Sequence, residues 1–121
     1  MAVEEIKRWE EVLQNEALLQ TVQSRNTSDV AVISSLRKKW SQEHIAIAIE
    51  CVDAKQRSKR KGFANSFVSD RQGIEQATSL NVAKHKATRM NKDKPIFDCC
   101  CGVGGDLFAL PEHAIGVDTH A

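Results

Sequence analysis

The most constraining stretch of the chain is Pro95-Ile96-Phe97-Asp98-Cys99-Cys100-Cys101-Gly102-Val103-Gly104-Gly105-Asp106. A short apolar run closes on an acid, and three glycines follow between positions 102 and 105. That order predicts a parallel strand, a tight loop and the first turn of a helix. Glycine at such a loop permits positive φ and lets another group approach bare main chain. A second strand-like run, Ala114-Ile115-Gly116-Val117, closes on Asp118, twenty residues beyond Asp98. The two runs together predict the start of a parallel α/β sheet. Taken alone, the glycines could be no more than a turn; the strand before them and the second strand–acid pair make a ligand loop the better reading.

Charge narrows what such a loop could hold. In nucleotide-binding βαβ units an acid at about this spacing takes the ribose hydroxyls. A dinucleotide fingerprint would need a glycine at 107, where Leu107 stands. Asp106 would also place a carboxylate at the helix N-terminus, where a pyrophosphate should meet N–H groups. Residues 95–121 hold four acids (Asp98, Asp106, Glu112, Asp118) and no Lys or Arg. S-adenosylmethionine, with an ammonium, a sulfonium and one carboxylate, suits that surface better than NAD does.

Asp98 to Gly105 resembles motif I of class I S-adenosylmethionine-dependent methyltransferases, and Gly116-Val117-Asp118 resembles motif II. The form Asp-x-Cys-Cys-Gly-x-Gly-Gly-Asp is similar to bacterial methyltransferases that carry a THUMP-like domain, and more distantly to trimethylguanosine synthases. Cys100 stands where most class I enzymes have the first glycine of the motif. The run Gln76-Ala77-Thr78-Ser79, continued by Val82-Ala83-Lys84-His85-Lys86-Ala87, resembles the segment that precedes motif I in the same bacterial family. The resemblance spans Leu36 to Asp118. It implies a cofactor site built from Asp98, Cys100, Gly102, Gly104 and Gly105, with Asp118 on the ribose and the loop at Thr78 over the methionine end. It also implies methyl transfer, with RNA as the expected acceptor. No residue present reads as a general base, so the catalytic residues are left unassigned. The usual seven-stranded sheet is represented by two strands, and the Asn/Asp-Pro-Pro-aromatic motif of many base methyltransferases does not occur. The chain therefore reads as the front end of a longer enzyme, inactive by itself.

The first half of the chain reads as helical. Ile6, Trp9, Leu13 and Ala17 predict one amphipathic helix over 3–23. Asn26-Thr27-Ser28 offer a cap for a second, lined by Val30, Ile33 and Leu36. Ser41 caps a third, lined by Ile45, Ala48, Ile49 and Val52. Both tryptophans are assigned to this helical core. The polar connector 91–95 is the expected boundary, giving a helical region 1–90 and an α/β unit 91–121. The fold class is thus an α-rich N-terminal region followed by the truncated start of a Rossmann-like domain with two parallel strands. Residues 1–90 are expected to fold without the sheet, whose open edges invite self-association.

The net charge of +1 conceals a sharp asymmetry. Residues 54–94 carry eleven Lys/Arg against three acids, or +8. Five of those cations, Lys55, Arg57, Lys59, Arg60 and Lys61, end the third helix before the stop at Gly62. They exceed what a helix C-terminus needs to complement its dipole and are the candidate nucleic-acid contacts, with Phe63 and Phe67 within reach of a base or serving as loop anchors. A solvated charged face is the plainer alternative. The same block supports a second reading of the whole chain: a non-catalytic helical module binding nucleic acid or protein, its glycine loop merely structural. The four cysteines, at 51, 99, 100 and 101, have no zinc-ligand spacing and read as reduced, buried core residues. No metal is expected. No apolar run reaches the ~18 residues of a membrane span, and no secretory signal is visible, so a cytoplasmic protein is expected.

Overall fold

The computed structural model describes residues 2–63 and 68–119. They form six α-helices and a two-stranded parallel sheet: α1 (Val3–Gln14), α2 (Glu16–Ser24), α3 (Val30–Leu36), α4 (Gln42–Arg60), α5 (Arg71–Gln76), α6 (Leu80–Ala87), β1 (Phe97–Cys99) and β2 (Ile115–Val117). The chain divides into two compact units, Met1–Asp53 and Ala54–Ala121, so the division falls within α4. No helix of the described residues is long and apolar enough to cross a membrane.

In the first unit the single helix expected over 3–23 is broken at Asn15. The Asn15 side chain accepts from the Leu18 amide at 3.1 Å, ending α1 and capping α2. Asparagine competes for local backbone donors in this way, which is why it favours caps over helix interiors. The break re-phases the apolar stripe. Ile6, Leu13 and Ala17 are exposed, while Val12, Leu18 and Val22 enter the core with Leu36, Ile45 and Ala48. Trp40 packs against that core and Trp9 is half-buried. Asp29, rather than Asn26, Thr27 or Ser28, caps α3 through the Ala31 amide at 2.9 Å. Ser41 caps α4 as expected, its hydroxyl accepting from the His44 amide at 3.2 Å.

In the second unit α4 stops where Gly62 is placed. The Phe63 amide donates to the Ser58 carbonyl and the Gly62 amide to that of Lys59, the paired bonds of a Schellman ending. Phe63 is then 3% exposed and packs with Ala54 and Ile74. Its ring meets Phe108 edge-on, with centroids 5.3 Å apart. It anchors the loop and is not open for stacking on a base; Phe67 lies outside the described residues. The segment after Asp70 makes α5, a helix the polar sequence conceals, capped by Asp70 on the Gly73 amide at 2.8 Å. On α6 the inward positions are Ala83 and Ala87, while Val82, and Met90 just beyond the helix, are exposed.

The strands pair in register, Phe97 with Ile115, Asp98 with Gly116 and Cys99 with Val117. One side of the pair is open: Phe97, Ile115 and Val117 are 62%, 52% and 54% exposed. Period-two alternation puts Cys99 on that side as well. Cys99 and Cys100 are exposed, correcting the expectation of buried thiols. Two strands bury one face at most, and the last residues of β1 therefore stay in solvent.

Candidate functional site

The glycine loop is shaped by the end of β2. The Val117 carbonyl accepts from both the Cys100 and Cys101 amides, and the Asp118 carboxylate accepts from the Gly102 amide at 2.8 Å. The Gly104 amide closes the turn onto the Cys101 carbonyl at 3.0 Å. Cys100, Gly102 and Gly104 all take positive φ, of 71°, 56° and 87°. Cys100 is the only non-glycine among the described residues to do so. The backbone there asks for glycine.

The loop glycines serve different neighbours. A Cβ on Gly102 would meet nothing within 4 Å, so its bare side faces open space. A Cβ on Gly105 would lie 2.9 Å from the Thr78 carbonyl oxygen and 3.2 Å from its nitrogen. Gly105 is buried, and its missing side chain makes room for the 77–78 backbone. The Thr78 hydroxyl donates to Asp106 Oδ2 at 3.2 Å. Thr78 is thus brought against the loop from a position distant in sequence.

The helix expected after the loop is a single 3-10 turn, Leu107–Ala109. Pro111 lies too close behind Asp106 to leave an α-helix room. The Asp106 side chain makes no cap bond and turns to Thr78 and to Lys86, whose Nζ lies 3.4 Å from Asp106 Oδ1. That approach is an ion pair without a hydrogen bond, since Asp106 Oδ1 is buried and has no hydrogen-bond partner. Asp98 Oδ2 is in the same position, buried and unpartnered. Burial pushes the Asp98 carboxyl above its ordinary value; Asp106 and Asp118 add to the push, and Lys86 opposes it. Burial also raises the Cys101 thiol, with Asp98 and Asp118 contributing. Three carboxylates therefore crowd one open turn, and Lys86 is the cation that answers them. Sequence reasoning passed over Lys86; the available signal was an acidic loop with no base of its own, preceded by a helix rich in lysine.

The basic run at the end of α4 separates into two groups. Arg57 pairs with Glu75 at 3.1 Å, and Lys61 Nζ donates to the carbonyls of Glu75 and Ala77. These two hold α5 and the loop after it. Lys55, Lys59 and Arg60 are exposed. Among the described residues no group of three His, Cys, Asp or Glu side chains is arranged to hold a metal ion. Comparison of the chain with protein-family models, with curated proteins and with solved structures returns no match.

Proposed function

We propose that the chain is the N-terminal portion of an S-adenosylmethionine-dependent methyltransferase, with RNA as the acceptor class. The observation that carries this reading is the orphaned Asp98 Oδ2, buried beside the open turn at Gly102 and flanked by Asp106 and Asp118. A buried carboxylate oxygen without a donor is costly, and a cationic ligand relieves it. The residues present fit the cofactor: Asp98 would take its ammonium, Gly102 would give it room, and Asp118 would accept from its ribose diol. Asp118 already holds the Gly102 amide through one oxygen; a carboxylate offers about four acceptor sites, enough for both tasks. The bound cofactor would supply an activated methyl group. The chain's own contribution is to fix the donor's position, since methyl transfer depends chiefly on proximity and orientation.

The test is a titration of the chain with S-adenosylhomocysteine, followed by amide shifts of the loop. The expected result is movement at Gly102, Gly104 and Asp118, with Asp118→Ala weakening binding by about 1.5–3 kcal/mol, the worth of a charge-assisted hydrogen bond. Binding that survives Asp118→Ala unchanged removes the ribose assignment, and no movement in the parent chain removes the cofactor.

A second reading rests on the exposed Lys55, Lys59 and Arg60, which support a module that binds nucleic acid without catalysis. RNA binding with a steep salt dependence, and no response to S-adenosylhomocysteine, would favour it; absent or salt-insensitive RNA binding would end it.

A further inference from the structure

We infer that Lys86, with the acidic loop it faces, selects a zwitterionic α-amino-acid end: its ammonium nitrogen takes a ligand carboxylate while Asp98 takes the adjacent ammonium. The inference rests on the cofactor reading above and adds to it a residue that distinguishes among adenosyl ligands. Lys86 Nζ stands 3.4 Å from Asp106 Oδ1 and is close enough to Asp98 to act on its carboxyl. A cation and an orphaned anion side by side complement a group that carries both charges on neighbouring atoms.

Two of the loop's own amides are already engaged. The Gly102 amide is bound to Asp118 and the Gly104 amide to the Cys101 carbonyl. Residues 95–121 contain no Lys or Arg. Three carboxylates surrounding the turn would repel a fourth unless a cation stood among them. The Lys86 side chain is 51% exposed, so it can leave Asp106 for a ligand without unburying a core position. Asp106 keeps the Thr78 hydroxyl when it does so.

The experiment compares S-adenosylhomocysteine with its decarboxylated analogue, which keeps the amine and lacks the carboxylate, on the chain and on Lys86→Gln. The expected result is that Lys86→Gln weakens S-adenosylhomocysteine by about tenfold and leaves the decarboxylated analogue unchanged. Lys86→Arg, which retains the cation, should restore most of the preference. Equal weakening of both ligands would make Lys86 a support for the loop, and equal tightening would make it a competitor of the ammonium; either overturns the inference alone. Failure of S-adenosylhomocysteine to bind the parent chain overturns the cofactor reading and this inference with it. A ligand-free readout checks the geometry: Lys86→Gln should raise the midpoint of the Asp98 carboxyl titration, and no change would mean that Lys86 does not face the loop.

Discussion

Cys100→Gly should stabilise the second unit. Cys100 sits at φ 71°, where a Cβ approaches the following carbonyl. Left-handed backbone costs a non-glycine residue roughly 1–2 kcal/mol. Glycine removes that cost but adds freedom to the unfolded chain, worth about 0.4–1 kcal/mol in the other direction. The Cys100 side chain is exposed, so its removal forfeits little buried area. The balance is a gain of about 0.5–1 kcal/mol. Tryptophan fluorescence is the wrong probe, because Trp9 and Trp40 both belong to the first unit and the chain has no tyrosine. Hydrogen exchange at the Cys101 and Ile115 amides reads the strand and loop directly, as these donate to Val117 and Ile96. Exchange there should slow by roughly twofold to fivefold. Cys100→Ala, which keeps the Cβ, should show no gain, and Cys99→Gly inside β1 should lose about 0.5–1 kcal/mol. Faster exchange in Cys100→Gly would refute the reasoning, since it would mean the thiol contributes more than the backbone strain costs.

Gly105→Ala should destabilise the same unit by about 1–3 kcal/mol, because the new methyl would press on the Thr78 backbone 2.9 Å away; denaturation followed by amide shifts checks it. Burial and the neighbouring Glu50 push the Cys51 thiol up to about 11, so near pH 8 iodoacetamide should label the exposed Cys99 well before Cys51, and unfolding should abolish the difference. Asp98 binds its proton more tightly in the folded chain than in the unfolded one, so its contribution to stability is greatest at low pH and falls as pH rises through its range. A carboxyl titration should place the Asp98 midpoint above 3.8, and Asp98→Asn should flatten that part of the stability profile.

The two strands, their parallel pairing and the loop between them were legible in the sequence because each depends on short-range grammar: an apolar run, an acid, clustered glycines. The Gly62 stop and the Ser41 cap were legible for the same reason. The apolar stripe of 3–23 was misread because one asparagine, by accepting from the Leu18 amide three residues ahead, starts a new helix and shifts the helical phase for everything after it. The helix α5 went unread because its only buried side chain is Ile74 and its stability comes from a cap and from Arg57 and Lys61, which lie outside it. Those two residues looked like part of a nucleic-acid surface because charge runs do not announce which members find internal partners. At the site itself, composition gave the acids but not their counter-ion, since the pairing of Lys86 with Asp106 crosses a whole strand and loop.

The same long-range contacts change where the chain can be divided. The connector 91–95 separates helices from strands, yet the loop beyond it depends on residues before it. Thr78 and Lys86 engage Asp106, and the 77–78 backbone fills the space that Gly105 leaves. Val103 packs where a Cβ on Gly73 would stand. A cut at the connector would remove the partners of three loop residues, Val103, Gly105 and Asp106, and take Lys86 away from Asp106 and Asp98. A cut near Asp53 leaves those contacts intact, because they all lie within 54–121. Residues 54–119 should therefore keep the loop conformation, with the Gly102 amide still protected by Asp118, while residues 91–119 should lose it; amide exchange at Gly102 in the two pieces decides the matter, and equal protection in both would show that the strands and the glycines alone hold the loop.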